Sequence, residues 1–458
     1  MQDFKVGYAS VNINPRLGCP IFGYYVPRFA KGFLDDLEAC AVAFSLNGKT
    51  SLLISIDNGG VTKDLIDKIT HSIENKTSVC SNDVIICATH THTSPFCYET
   101  DMFEMDYRIV NEYADFLLQR VTDLAVLTLA DLKPAKLGIG TVTAPDRIAY
   151  IRRYKMKDGT TMTCPPINNP NIDHPIGELD QRVHVIRIDR KNAESIVILN
   201  YGLHADCVNG ELISSDWIGW VKRTLDKALD GVKCMCIIGA QGDVGSTNVN
   251  PIDGDMNDTE ISFDNEMKSP GMARFIGRAL AGAVLQIYDK VAYQEVDTIK
   301  VVKKKLTVQA NVPSEQELVT ARRYKELHDA GRDDLIPYKA MELTTVVAEA
   351  LRMCRMANGP KTFELPMSGM RIGDLAFIGI PGEPFTEIGV KIKETDGWGM
   401  ICPSINTNGK EGYFPSKEAF DEGGYEARTS PFTAGVAQSI VDCAKEILKE
   451  LKFKDKTK

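Results

Sequence analysis

The chain contains 458 residues, with 53 Lys or Arg against 62 Asp or Glu, so its formal charge at pH 7 is −9. An acidic chain is repelled by nucleic-acid phosphates and by anionic lipid head groups, which excludes nucleic-acid binding as the expected function. With 43% hydrophobic and 25% charged residues, the composition is that of a globular protein with ample core material. No apolar run of about 18 residues occurs, so we expect no transmembrane segment.

The N-terminus and the cysteines set expectations about location. The first ten residues lack the basic, apolar and small-residue regions of a secretory signal and are instead strand-like. Most of the twelve cysteines lie in apolar runs, and no C-x-x-C pair occurs. Cys234 and Cys236 are interpreted as core residues rather than ligands. This pattern favours buried thiols over a disulfide framework and predicts a cytoplasmic protein.

The first predicted elements are a hairpin and then a strand, helix and strand. Two β-rich runs within 39–57 flank the turn signal Asn47-Gly48. Apolar residues recur at helical spacing over 62–78, and 83–88 is a short apolar run typical of a buried strand. That strand leads into the segment 89–95, and ligands bind at the carboxyl ends of strands in open α/β sheets.

Further along, helices alternate with strands, which predicts a mixed or parallel sheet covered by helices. Helical spacing recurs at 113–132, 218–229, 272–288 and 433–451, and strand-like runs occupy 182–188, 195–201 and 233–239. The Pro-, Asn- and Asp-rich stretch 164–180 predicts an ordered loop. The charged stretch 313–359 predicts a helical hairpin inserted between strands, and a lysine-rich tail ends the chain. Since no linker or repeat occurs, one α/β domain spanning 1–458, with mixed β-sheets flanked by helices, is favoured over the three that length suggests.

Four predicted strand ends carry residue types that bind metal ions. His90 and His92 point to the same face of an extended segment and can converge on one point. His204 follows the run 195–201, Asp243 lies in the glycine-spaced loop after 233–239, and Glu383 follows an apolar run. Taken alone, each also fits a hydrogen-bonded or helix-capping role. Together, imidazoles and carboxylates at one sheet edge are the arrangement of a zinc hydrolase with an open position for water.

The segment 88–95, Ala-Thr-His-Thr-His-Thr-Ser-Pro, resembles the Ala-Thr-His-Thr-His-Ser-Gly-Pro signature of the neutral (non-lysosomal) ceramidases. These are zinc-dependent amidases that split ceramide into sphingosine and fatty acid. Other segments similar to that family follow in the same order, at 6–15, 23–24, 177–180, 201–204, 242–244, 379–383, 408–413 and 423–426. The resemblance extends over nearly the whole chain, although no motif covers 313–359. It implies a neutral-ceramidase-like catalytic domain.

The resemblance also implies roles for individual residues. The family's zinc ligands correspond to four residues that would hold one Zn²⁺ ion: His90, His204, Glu383 and Tyr413. His92 and Tyr425 correspond to residues that donate hydrogen bonds to the substrate carbonyl as it becomes an oxyanion. Arg152 corresponds to a substrate-binding arginine, although Ile151 replaces the asparagine usual before it. Asp243 matches the family's acidic residue and is expected to accept the proton of metal-activated water.

Two features depart from the family. In the glycine loop, ceramidases of this family have a sequence similar to Gly-Asp-Val-Ser-Pro-Asn. This chain has Gly245 at the position of that serine. Ser246 lies one residue later and faces the other way in an extended segment, so it is kept as a substrate-binding candidate and no serine nucleophile is expected. Characterised ceramidases are also longer, secreted or surface proteins with a C-terminal immunoglobulin-like domain. We expect neither that domain nor secretion here.

The sequence therefore predicts a zinc-dependent hydrolase of a ceramide-like N-acyl amide or of another small amide or ester, with a role in lipid metabolism. Two alternatives stay open. One is a metal-dependent isomerase or lyase acting on a small polar metabolite, which the lost serine and the missing secretion signal favour. The other is a non-catalytic metal-binding protein. A long apolar channel would suit an acyl chain, and a pocket rich in charged groups would suit a sugar or an acid. The oligomeric state is left open.

Overall fold

The computed structural model describes residues 3–100, 102–262 and 265–453. The α-helices among them are α1 Lys63–Lys76, α2 Tyr107–Ala130, α3 Asp216–Ala228, α4 Pro270–Ile287, α5 Glu315–Asp329, α6 Ala340–Met356, α7 Thr386–Lys393, α8 Lys417–Glu422, α9 Tyr425–Thr429 and α10 Val436–Lys452. The strands are β1 Phe4–Asn12, β2 Gly32–Phe33, β3 Glu38–Leu46, β4 Lys49–Ile56, β5 Val84–Ala88, β6 Lys133–Thr143, β7 Tyr150–Ile151, β8 Arg153–Met156, β9 Thr161–Thr163, β10 Ile172–Pro175, β11 Arg182–Arg190, β12 Ile196–Tyr201, β13 Leu212–Ile213, β14 Lys233–Ile238, β15 Val244–Gly245, β16 Glu260–Ile261, β17 Met267–Lys268, β18 Ala292–Gln294, β19 Ile299–Gln309, β20 Thr362–Ile372, β21 Leu375–Gly379, β22 Glu383–Pro384, β23 Met400–Ser404 and β24 Tyr413–Phe414.

Nine strands form the larger sheet, in the order β14–β12–β11–β6–β1–β3–β4–β5, with β18 also paired to β6. The pairs at its two ends, β4–β5 and β12–β14, are parallel, with α1 and α3 in the crossovers. The inner pairs are antiparallel. Asn47 and Gly48 join β3 to β4 and both have positive φ, 51° and 86°, as a type I′ hairpin turn requires. The predicted hairpin is confirmed.

A second sheet of β19, β20, β21 and β23 packs against one face of the larger sheet. The core between them contains Phe44 of the larger sheet and Phe377 of the smaller one. Because side chains alternate along a strand, β4 sends Leu53 into this core and sends Leu52 and Ile54 toward α1 and α2. Helices α3 and α4 cover the rest of the larger sheet, and α7 and α10 cover the smaller sheet. The result is two mixed sheets flanked by helices, as the sequence predicts.

The larger sheet bends back on itself until its two ends are neighbours. Ser55 Oγ on β4 donates a hydrogen bond of 2.8 Å to the carbonyl of Cys236 on β14. The segment after β23 lies between the strand ends. There Ile405 N–H donates to a carbonyl of β14 at 3.0 Å, and Asn408 N–H donates to a carbonyl of β5 at 2.8 Å. This curvature brings together strand ends that are far apart in the sheet order.

Two of the irregular stretches have defined structures. The stretch 313–359 contains α5 and α6, which pack against each other. In chain order these helices come between β19 and β20, which pair along their whole length. The stretch 164–180 is not the plain loop that its composition predicts, because β10 lies within it and pairs with β8. Pro175 is tolerated there because β10 is an edge strand of a three-stranded sheet.

Other predictions concern the chain as a whole. Cys234 and Cys236 are buried in the core, as predicted. None of the helices in the described residues is long and apolar enough to cross a membrane. The cytoplasmic location and the single domain over 1–458 stay predictions, and the lysine-rich tail lies in 454–458, outside the described residues.

A buried histidine of the larger sheet makes a testable contribution to stability. His184 on β11 is buried, with its Nδ1 2.8 Å from Thr141 Oγ1, and burial lowers its pKa from 6.5 to about 3. The unfolded chain therefore gains a proton below pH 6.5 that the folded chain refuses until about pH 3, so stability falls as the pH drops through this window. We expect His184→Asn to remove up to about 1.4 kcal/mol per pH unit of that dependence.

Urea unfolding of the parent and of His184→Asn, measured at pH values above and inside this window, checks the prediction. The readout is the slope of the unfolding free energy with pH, which a uniform packing defect does not alter. Parallel slopes for the two proteins would contradict the assignment.

Candidate metal centre

Three histidines meet where the carboxyl ends of β5 and β12 come together. His90 and His92 follow β5, His204 follows β12, and all three are buried. One ring nitrogen from each lies within 4.8 Å of the others. His90 adopts a φ of 63°, a left-handed conformation that costs a non-glycine residue about 1–2 kcal/mol. In the described parts of the chain, this is the one group of His, Cys, Asp or Glu residues clustered closely enough to share an ion.

Backbone carbonyls determine which nitrogen two of these rings present. His90 Nδ1 donates to the carbonyl of Gly59 at 2.6 Å. His204 Nδ1 donates to the carbonyls of Gln241 and Val244 at 2.9 and 2.8 Å. A neutral imidazole that donates from Nδ1 keeps a lone pair on Nε2, and this pairing is typical of histidines that bind metals. Both rings therefore present Nε2 as the ligand atom.

Glu383 faces both of these lone pairs. Its Oε2 lies 2.9 Å from His90 Nε2 and 3.2 Å from His204 Nε2. Burial lowers the pKa of His204 to about 3, so this ring is neutral at physiological pH and able to bind a cation. Neutral imidazoles around a carboxylate are a donor set that fits zinc.

Tyr413 lies beside Glu383 because β22 and β24 pair in parallel, with these two residues opposite each other. Its ring stacks on His204 with the centroids 6.5 Å apart. Its hydroxyl accepts a hydrogen bond of 3.0 Å from Arg152, whose Nε donates to the buried Glu426 at 2.6 Å. Arg152 therefore holds the Tyr413 hydroxyl in position, since Glu426 in turn holds Arg152.

A cavity of about 680 Å³ opens over the histidines. Its walls include five predicted site residues: His90, His92, Glu383, Tyr413 and Tyr425. The Tyr425 ring packs edge-on against Tyr413 at 5.7 Å, and its hydroxyl lies 3.3 Å from that of Tyr25. The remaining wall combines aromatic rings, charged side chains and the carboxyl end of α6. The described structure thus brings three predicted ligands, His90, Glu383 and Tyr413, and two predicted hydrogen-bond donors to one cavity. His204 does not line this cavity and contacts the site through Glu383.

Asp243 and Ser246 contact other parts of the structure. Asp243 Oδ1 accepts hydrogen bonds of 2.8 Å from both the N–H and the hydroxyl of Thr386, at the start of α7, and burial raises the pKa of Asp243. Ser246 lines a different cavity, of about 610 Å³, together with Arg147. The described lining of the histidine cavity does not include Asp243, Ser246 or Arg152. Their catalytic and substrate-binding roles stay predictions.

Sequence reasoning missed several polar residues around the histidines. Asp206 Oδ1 lies 3.3 Å from His92 Nδ1, and its Oδ2 forms an ion pair of 2.9 Å with the buried Lys268. Asp206 follows His204 by two residues, the same spacing that separates His90 from His92. This spacing in the sequence therefore predicts that Asp206 lies near the site. The Nδ2 atom of Asn406 lies 3.1 Å from Nδ1 of His90. Asn406 and Lys268 come from distant segments and carry no local signal.

The fold is that of the neutral ceramidases. Over its whole length the chain matches the crystal structure of neutral ceramidase from Pseudomonas aeruginosa, with a TM-score of 0.72 and 16% identity, and covers 76% of that chain. It also matches a structure of a ceramidase complexed with C2, with a TM-score of 0.70 and 16% identity, and covers 77% of that chain. No protein-family model and no curated protein matches the sequence. The neutral-ceramidase-like fold implied by the sequence motifs is confirmed.

Two glycines of the loop after β14 differ in the room around them. A Cβ at Gly245 would meet the Arg152 side chain at 3.7 Å, an ordinary contact, whereas a Cβ at Gly242 would lie 2.6 Å from the backbone oxygen of Glu383. We expect Gly245→Ser to retain the parent's metal content and stability. We expect Gly242→Ala to displace Glu383, to lower metal content and to destabilise the fold by about 1–3 kcal/mol.

Zinc per chain by elemental analysis, together with urea unfolding, checks both substitutions in parallel. Equal metal content in the two variants would contradict this account of the loop.

Proposed function

We propose that the protein is a zinc-dependent amide hydrolase. The observation that carries the proposal is the convergence of His90, His204 and Glu383, with the Nε2 atoms of both rings held toward one carboxylate oxygen by hydrogen bonds from Nδ1 to backbone carbonyls. The fold supports it because two similar solved structures are ceramidases.

Four residues would hold the metal: His90, His204, Glu383 and Tyr413. When bound, zinc polarises a substrate carbonyl and lowers the pKa of a water molecule. Arg152 supports this set from outside, because it donates a hydrogen bond to the Tyr413 hydroxyl and is itself anchored by Glu426. A second layer of this kind fixes the orientation of the ligands.

The remaining site residues act on the substrate and on protons. His92 and Tyr425 line the cavity and would donate hydrogen bonds to the carbonyl oxygen as it gains negative charge. Such a donor is worth roughly 3–4 kcal/mol in hydrolases where it has been removed. Asp206 would keep the His92 ring in place from its Nδ1 side. Asp243 stays the proton acceptor that the sequence predicts, although its Oδ1 is held by Thr386 and it does not line the cavity.

The cavity suits a small amide or ester better than a two-chain lipid. Its volume of about 680 Å³ is in the range of small-molecule sites, and Lys410, Arg355 and Glu411 interrupt its aromatic wall. The same charged wall is the observation that favours the second candidate, a metal-dependent isomerase or lyase acting on a small polar metabolite. A non-catalytic metal-binding protein would bind zinc and turn over no substrate.

Metal analysis combined with an amide and ester panel tests the proposal. We expect the purified protein to contain about one zinc per chain, to lose amidase activity on chelation and to regain it with zinc. His90→Ala and Glu383→Gln should each lower zinc affinity by more than about 100-fold, since they remove ligands rather than the groups behind them. His174→Ala, which alters an exposed histidine on β10, is the matched control and should behave as the parent. Parental turnover by His90→Ala would overturn the proposal.

A further inference from the structure

Lys410 places a positive charge in the cavity over the histidines. Its Nζ lies 4.7 Å from the ring centroid of Tyr98 and 5.0 Å from that of Phe22. In the part of the chain that the structure describes, no carboxylate lies within 4.0 Å of the Lys410 Nζ. Glu383 and Glu411, which line the same cavity, attract this ammonium from a greater distance. Aromatic faces attract a cation but replace only part of its hydration, so the ammonium retains unused hydrogen-bonding capacity.

The backbone holds this side chain from both sides. Before it, Asn408 N–H donates to a carbonyl of β5 at 2.8 Å, and after it, Glu411 N–H donates to the carbonyl of Pro381 at 2.8 Å. The stem of Lys410 passes over Gly60, where a Cβ would come within 2.3 Å of its Cδ. The backbone around Lys410 and the start of its side chain are therefore held in place, and the ammonium lies near the two rings.

The Phe22 ring contacts both Lys410 and two of the histidines. Its centroid is 5.5 Å from the ring centroids of both His90 and His92. The ammonium of Lys410 thus contacts the same aromatic ring as the imidazoles of His90 and His92. A ligand whose carbonyl lies at the histidines would reach Lys410 with a group only a few bonds from that carbonyl.

We infer that Lys410 binds a carboxylate of the substrate, so that the preferred substrates are short amides with a carboxylate a few bonds from the scissile bond. The inference rests on the proposed amide hydrolase. A carboxylate is the group that would form charge-assisted hydrogen bonds with an ammonium that has no ion-pair partner among the described residues. A neutral lipid amide such as ceramide would instead cover the ammonium without supplying an anion, which is unfavourable.

Matched amides test the inference on the zinc-loaded full chain. The carboxylated substrates are N-hexanoyl-β-alanine and N-hexylsuccinamate, and their neutral partners are N-hexanoyl-3-aminopropanol and N-hexyl-4-hydroxybutanamide. The variants are Lys410→Met, Lys410→Arg and the control Lys391→Met, which alters an exposed lysine paired with Glu387 on α7. Zinc content and thermal unfolding of each variant report folding.

We expect the parent to prefer at least one carboxylated amide, and we expect its kcat/KM ratio over the neutral partner to fall about tenfold or more in Lys410→Met. Lys410→Arg should keep part of the preference and Lys391→Met all of it. No preference in the parent, or an equal loss on both members of each pair in Lys410→Met, would overturn the inference.

If no amide is hydrolysed, the proposed function fails, and calorimetric binding of the two carboxylated amides decides the inference separately. Binding that Lys410→Met weakens about tenfold or more would sustain it. Binding that is absent from the parent, or that the variant leaves unchanged, would refute it.

Discussion

The candidate metal centre depends on the curvature of the nine-stranded sheet. In the sheet order β5 and β14 are the two ends, yet a hydrogen bond from Ser55 on β4 reaches the backbone of β14. Without that closure, the loop after β5 and the loop after β12 would lie on opposite sides of the molecule. The segment after β23 occupies the seam and bonds to the backbone of both end strands, so the second sheet contributes to holding the closure. The relative positions of the three imidazoles thus depend on both packed sheets.

Local patterns were enough to predict much of the fold. The turn Asn47-Gly48 specifies its hairpin through two residues that tolerate positive φ, and apolar runs located the buried strands of both parallel units. Composition failed over 164–180, because a Pro- and Asn-rich segment can still add a short edge strand to an existing ladder. The curvature of a sheet has no local signature, since it follows from packing between layers.

The same division applies to the candidate site. The histidines and Glu383 were identified because each follows a predicted strand, and the described structure places them together. Two residues that support the site from outside the cavity have no local sequence pattern. Asn406 reaches His90 from a segment far along the chain, and Lys268 pairs with Asp206 beside His92. The predicted proton acceptor Asp243 is bound to Thr386 at the start of α7, a contact that strand-end reasoning alone does not reveal.

The position of the helical pair α5 and α6 has a consequence for how this fold can diversify. The pair is inserted between β19 and β20, which pair without a break from Ile299 opposite Ile372 to Gln309 opposite Thr362. Its length and sequence can therefore change while the sheet keeps its register. The carboxyl end of α6 nevertheless forms part of the cavity wall, through Arg355. A change at the carboxyl end of α6 can thus alter the cavity wall without a change in the strand ends that carry the candidate ligands.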